Sequence, residues 1–156
     1  MHFENSNPLR GQSQRMVRKH LVIGWISLLV FMTLGVILET LYAFHIQFYV
    51  SVNNETRHLM WTLAHAHGTF LSLVHLVFAG TVWLLASCQV QISAGASKSL
   101  TVGALLVPAG FFLGGLYVHG TDPNLSILLV PVGALCLLAT GFLAARAVLR
   151  VSKNTI

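Results

Sequence analysis

Four apolar stretches, at about 20–50, 58–86, 99–119 and 124–146, run through this chain and limit what it can fold into. Each supplies the roughly 20 helical residues that a bilayer's hydrocarbon layer requires. A soluble four-helix bundle needs a polar outer stripe on every helix. Leu21 to Leu38 and Leu100 to Val118 show none. Only 8% of the residues are charged, against about a quarter in an ordinary soluble domain, and mean hydropathy is +0.75. The sequence therefore predicts an all-α integral membrane protein. Short connections make sequential helices antiparallel neighbours, giving a four-helix up-down-up-down bundle. Residues 1–19 read as a cytoplasmic N-terminal tail, 20–150 as the four-helix domain and 151–156 as a cytoplasmic C-terminal tail.

A net charge of +5 invites a nucleic-acid reading, which fails on placement. Arg10, Arg15, Arg18, Lys19, Lys98, Arg146, Arg150 and Lys153 all fall in the two tails, the second connection or beside them. Arg57 alone lies in the first connection. Such a bias marks cytoplasmic segments, so both termini are expected inside, in a bacterial inner (plasma) membrane. Tyr49, Trp61 and Tyr117 near one boundary and Trp25 and Trp83 near the other agree with that orientation. The first 19 residues lack the short apolar core and small-residue site of a cleaved signal, so the first span is expected to be retained.

Several functions are excluded. Cys88 and Cys136 form no Cys-x-x-Cys and imply no disulfide framework. No nucleophile stands with a base and an orienting partner, and no glycine loop has the strand-to-helix setting of a nucleotide site. Gly110 and Gly114 have the Gly-x-x-x-Gly spacing that lets helices approach closely in lipid, within the bundle or between copies. Pro108 and Pro131 are placed to kink their helices, and Pro123 to start the last one.

What remains is a small set of ionisable side chains inside apolar stretches. The second stretch holds His65, His67 and His75, and the first holds Glu39. A charged group at membrane depth costs a few kcal/mol on insertion scales, so such residues face the bundle interior and mark pathways or sites. With the first helix carried to Val50, Glu39 lies about 16 Å below one boundary, and His65 and His67 about 12–15 Å below it. The carboxyl and the two rings are thus expected at one level, with His119 shallower on the same side. At about 100° per residue, His58, Thr62, His65, Thr69 and Ser72 share a narrow arc, whereas His67 points about 160° away from His65. His65 and His67 therefore serve two sides of the helix. His75 has no facing mid-membrane histidine in this reading, and His20 is set aside as a boundary residue.

A histidine-x-histidine pair on a membrane helix, with rings on opposite faces, resembles the helix of haem-copper oxidase catalytic subunits that serves two haems. The resemblance covers Ala64 to Gly68 and extends to His75. It implies haem or metal ligation by His65 and His67. Read from the residues, one carboxylate with two or three imidazoles suits zinc, iron or copper. The leading expectation is a transition metal (Zn, Cu or Fe) or haem, with Glu39, His65, His67 and His119 as metal ligands and His65, His67 and His75 as cofactor ligands. Its chemistry would be redox or metal handling. A proton or metal-ion relay in a small oligomeric transporter is the second expectation. The third is a non-catalytic membrane subunit that uses its histidines for packing. Expected partners are the lipid bilayer and either further copies of the chain or a larger membrane complex, with no nucleic acid.

Overall fold

The computed structural model describes residues 8–50, 55–116, 118 and 122–154. Among them every regular element is helical: α1 (Pro8–Ala43), α2 (Gln47–Val50), α3 (Glu55–Ser87), α4 (Ala94–Gly114), a 3-10 turn (Leu125–Leu128) and α5 (Leu129–Asn154). Four of these helices are long and apolar enough to cross a membrane.

Helix α1 is longer at its start and shorter at its end than the hydrophobic pattern predicts. It opens on Pro8, whose fixed φ suits a first helical position, and residues 8–19 are its first turns. It stops at Ala43 because His45 adopts the left-handed conformation (φ 50), and the amide of Ile46 folds back to donate to the Leu41 carbonyl at 3.0 Å. A left-handed residue just past the last turn is a common helix stop. Glu39 consequently sits one turn from the end of α1, not deep beneath a boundary at Val50.

The helices pack in chain order, α1 on α3, α3 on α4 and α4 on α5. Each contact is antiparallel, as its residue pairs show. Gly35 lies against His65, Gly68 against Phe31 and Gly24 against Leu76 along α1–α3. Arg57 and Trp61 at the start of α3 meet the end of α4. Along α4–α5, Ser99 donates to the Cys136 carbonyl at 2.7 Å, and Gly103 and Gly110 let α5 come close at Gly133 and Val130. The Gly-x-x-x-Gly spacing of α4 is therefore used within the chain. Asn124, rather than Pro123, caps the 3-10 turn that precedes α5, its side chain accepting from the Ser126 amide.

Two apolar clusters close the ends of the assembly. At the basic end, where α1 starts and α5 stops, Met16, Phe78, Val82, Leu85, Leu100 and Ala147 pack together. At the opposite end Leu38, Tyr49, Met60 and Trp61 form the second cluster with Phe111 and Phe112. Outside these clusters the surface stays apolar. In the most apolar windows of α1 and α5 only 17% and 11% of residues are buried, and Leu29, Val36, Leu135 and Leu138 are exposed. An uncovered apolar surface of this extent calls for a lipid or protein covering.

Arg57 holds the end opposite the basic one. Its guanidinium lies over the Phe48 ring at 4.4 Å and donates to the carbonyls of Gly115 (3.1 Å) and Phe48 (3.0 Å). It thereby satisfies the end of α4, whose last carbonyls have no partner within the helix. Among the described residues, the one Lys or Arg outside the basic end is thus a helix cap.

Candidate functional site

The seam between α1 and α3 carries a line of polar side chains, His20, Ser27, His65, Ser72 and His75. On α1 the residues facing α3 are His20, Gly24, Ser27, Phe31 and Gly35, spaced three or four apart as one helix face requires. On α3 the matching face carries His65, Gly68, Ser72, His75 and Leu76. Large meets small at each level: the His65 ring fills the space over Gly35, and the Phe31 ring fills that over Gly68. One turn further toward the basic end Ser72 donates to Ser27 at 2.8 Å.

The polar centre of the seam lies toward the basic end. His20 and His75 are 0% and 1% exposed. Their Nδ1 atoms approach to 2.6 Å, with the rings stacked at 4.9 Å between centroids. The Nε2 of His20 lies 2.8 Å from Ser97 Oγ on α4, and Lys19 Nζ reaches the same oxygen at 3.5 Å. Phe78 closes the His20 ring from the side at 4.7 Å. One atom of the group is left over. The Nε2 of His75 is buried and has no hydrogen-bond partner among the described residues, and the Thr69 hydroxyl shares that condition.

These distances fix what the group can do. Each imidazole nitrogen either carries a proton and donates or presents a lone pair and accepts. The Nδ1···Nδ1 contact therefore holds one proton, and two neutral arrangements satisfy it. In the first, His75 donates to His20, His20 donates through Nε2 to Ser97, and His75 Nε2 is a bare lone pair. In the second, Ser97 donates to His20 Nε2, His20 donates to His75, and His75 Nε2 carries the hydrogen. Changing the second into the first takes a proton from Ser97 at His20 Nε2, passes the shared Nδ1 proton from His20 to His75 and releases the proton of His75 Nε2, without moving a heavy atom. Buried polar atoms almost always find partners, so an orphan such as this Nε2 calls for an explanation.

The predicted site residues that lie among the described ones, Glu39, His65, His67 and His75, are not brought together at one point. Glu39 is exposed on the apolar face of α1 and makes no hydrogen bond or ion pair among the described residues. The seam register explains why. Gly35, one turn before Glu39, is level with His65, so Glu39 is level with Met60 and Trp61 and offset along the helix axis by about 6 Å from His65 and about 9 Å from His67. The expected single level of carboxyl and imidazoles is corrected accordingly. His65 turns to α1, its Nδ1 2.8 Å from the Phe31 carbonyl. His67 turns to α4, where its ring lies 4.9 Å from that of Phe111, with its Nδ1 2.9 Å from the Leu63 carbonyl. His119 falls outside the described residues, as does Tyr117. Among the described residues no group of three or more His, Cys, Asp or Glu side chains converges as metal ligands would.

Sequence reasoning missed His20, and with it the partner of His75. A signal was present. His20, Gly24, Ser27 and Gly35 form a small and polar stripe on α1, the counterpart of the α3 stripe through His65, Thr69 and Ser72. Setting His20 aside as a boundary residue removed it from that stripe.

The opposite end has its own aromatic and polar group. Tyr49 Oη lies 3.3 Å from Thr62 Oγ1, and the His58 ring sits 4.7 Å from that of Tyr49 and 5.7 Å from that of Tyr42. These residues and Glu55 border a cavity of about 360 Å3. No known protein family, curated protein or solved structure matches the chain.

Proposed function

We propose that the chain crosses a membrane four times, up-down-up-down, with its basic end in the cytoplasm, and that the α1–α3 seam passes protons across it. The observation that carries the reading is the buried His20–His75–Ser97 chain ending in the unpartnered Nε2 of His75. Intramembrane ionisable groups that pair with one another mark ion pathways and proton relays. The two arrangements differ in the shared Nδ1 proton and in which ring carries an Nε2 proton, so passing from the second to the first takes a proton at Ser97 and releases one at His75. Lys19 lies beside Ser97 at the basic end, where water would deliver it.

From His75 the polar groups continue toward the opposite end: Ser72 with Ser27, the Thr69 hydroxyl, His65, then Thr62 with Tyr49 and His58. Each lies about one helical turn, some 5 Å, from the next. One water or one side-chain rotation bridges such a gap. Glu39 stands outside this line.

The test is proton flux in liposomes that contain the purified protein and a trapped pH-sensitive dye, driven by an imposed potential. The wild type is expected to carry protons, His75→Phe to abolish the flux and Glu39→Gln to leave it unchanged. Absence of flux in the wild type, or full flux in folded His75→Phe, overturns the relay.

A second reading keeps the transition metal or haem, and one observation favours it. In His65 and His67 the ring nitrogen nearest a carbonyl must donate, because a carbonyl only accepts. Each neutral ring then presents Nε2 as a lone pair, the arrangement in which histidines ligate metals. The two rings turn to different helices, so each would hold the group singly, with further ligands from another copy or another subunit. Protein purified without added metal that shows neither a haem absorption band nor bound Zn, Cu or Fe would remove this reading.

A further inference from the structure

We propose that the cavity at the basic end binds a phosphate group, that of an anionic phospholipid headgroup. The inference rests on the four-span reading above and is independent of the proton relay. The cavity, of about 340 Å3, opens where the start of α1, the α3–α4 connection and the end of α5 meet. Arg146 and Arg150, one turn apart on α5, border it together with Gln12, Gln91 and Ser93, over an apolar floor that includes Ile92. Among the described residues no acidic side chain borders it. Neither guanidinium makes a hydrogen bond or ion pair among the described residues. Arg146 is positioned only by lying 5.6 Å above the Phe142 ring.

Two guanidiniums at one concave site favour an anion, and their planar forks match the oxygens of phosphate. Basic pockets between membrane helices on the cytoplasmic side recognise phospholipid headgroups by this means. The surroundings fit an amphiphile. Phe142, Leu138 and Leu135 lead away from Arg146 along α5 and are exposed, which gives acyl chains an apolar track below the phosphate.

Native mass spectrometry of the detergent-purified full chain, with phosphatidylglycerol or phosphatidylcholine added, tests this. The wild type is expected to hold several-fold more phosphatidylglycerol than phosphatidylcholine. The Arg146→Gln/Arg150→Gln protein should lose that excess, and Arg150→Gln alone part of it. Arg15→Gln/Arg18→Gln, which removes exposed charges on α1 away from the cavity, should keep it. Thermal unfolding with and without sodium phosphate separates the sources. Stabilisation of the wild type but not of the double variant, with no lipid preference, assigns the cavity to free phosphate. Equal lipid retention and equal phosphate response in the wild type and the double variant overturn the proposal. Extraction of the protein from membranes by carbonate, checked separately, would undo the four-span reading itself.

Discussion

The two halves of the α1–α3 seam use the same residue type in opposite ways. Toward the basic end, His20 and His75 come from sequence positions far apart, meet at 2.6 Å and are sealed from the surroundings. In the other half, His65 and His67 are sequence neighbours, yet their rings part to α1 and α4 and each is held by a main-chain carbonyl. Density of histidines along a helix does not make a site, because adjacent positions diverge by about 100° per residue. A site forms where two helices bring polar positions to one level. At the basic end that level pairs histidine with histidine. In the opposite half the small residues Gly35 and Gly68 admit one bulky ring each, from His65 and from Phe31.

The sharpest way to break this comparison is flux. His75→Phe is expected to abolish it and Glu39→Gln to spare it in the same liposome assay. If Glu39→Gln abolishes flux instead, the carboxylate half is the working one and the comparison is reversed. A second contrast is in stability. His20→Ala removes bonds to two helices and leaves His75 and Ser97 without their partner, and should cost about 2–4 kcal/mol in unfolding from mixed micelles. His67→Ala, which removes a bond within its own helix, should cost less than about 1 kcal/mol.

The packing of the opposite half can be probed at Gly35. A side chain there overlaps the His65 ring, so Gly35→Ala should lower stability by about 1–3 kcal/mol. His65→Ala in the same protein should recover part of the loss, and a purely additive double variant would show that the two do not touch. A smaller effect is expected at Arg57. Arg57→Gln frees the carbonyls of Gly115 and Phe48 and should cost about 1–2 kcal/mol by the same measurement, with flux unchanged. Last, the exposed Cys88 at the basic end of α3 should react with an impermeant maleimide only from the cytoplasmic side of sealed vesicles. Labelling from the other side would invert the proposed orientation and the direction in which the relay is read.

Much of the architecture was legible in the residues. The absence of a polar outer stripe on the long apolar runs required helices that hide from water, and α3 begins and ends within a few residues of its apolar stretch, at Glu55 and Ser87. The face of α3 that carries His65 and Ser72 was also readable, because the period of a helix is fixed by its own hydrogen bonds. The end of α1 was not. Val50 lies in apolar sequence, and only the left-handed turn at His45 reveals that the helix has already stopped. That error moved Glu39 to the wrong level and hid the true register.

Sequence alone thus determined that the chain is helical, that it has four spans of membrane length and that its few polar groups inside them need partners. Those properties follow from hydropathy and from the geometry of a single helix. Tertiary structure decided which partners they get. The register between two helices is set by large side chains seating over small ones across the interface, His65 on Gly35 and Phe31 on Gly68, and a slip of one turn exchanges every pairing along the seam. Neither helix carries that information by itself, which is why His20 acquired a role only when its position opposite His75 was known.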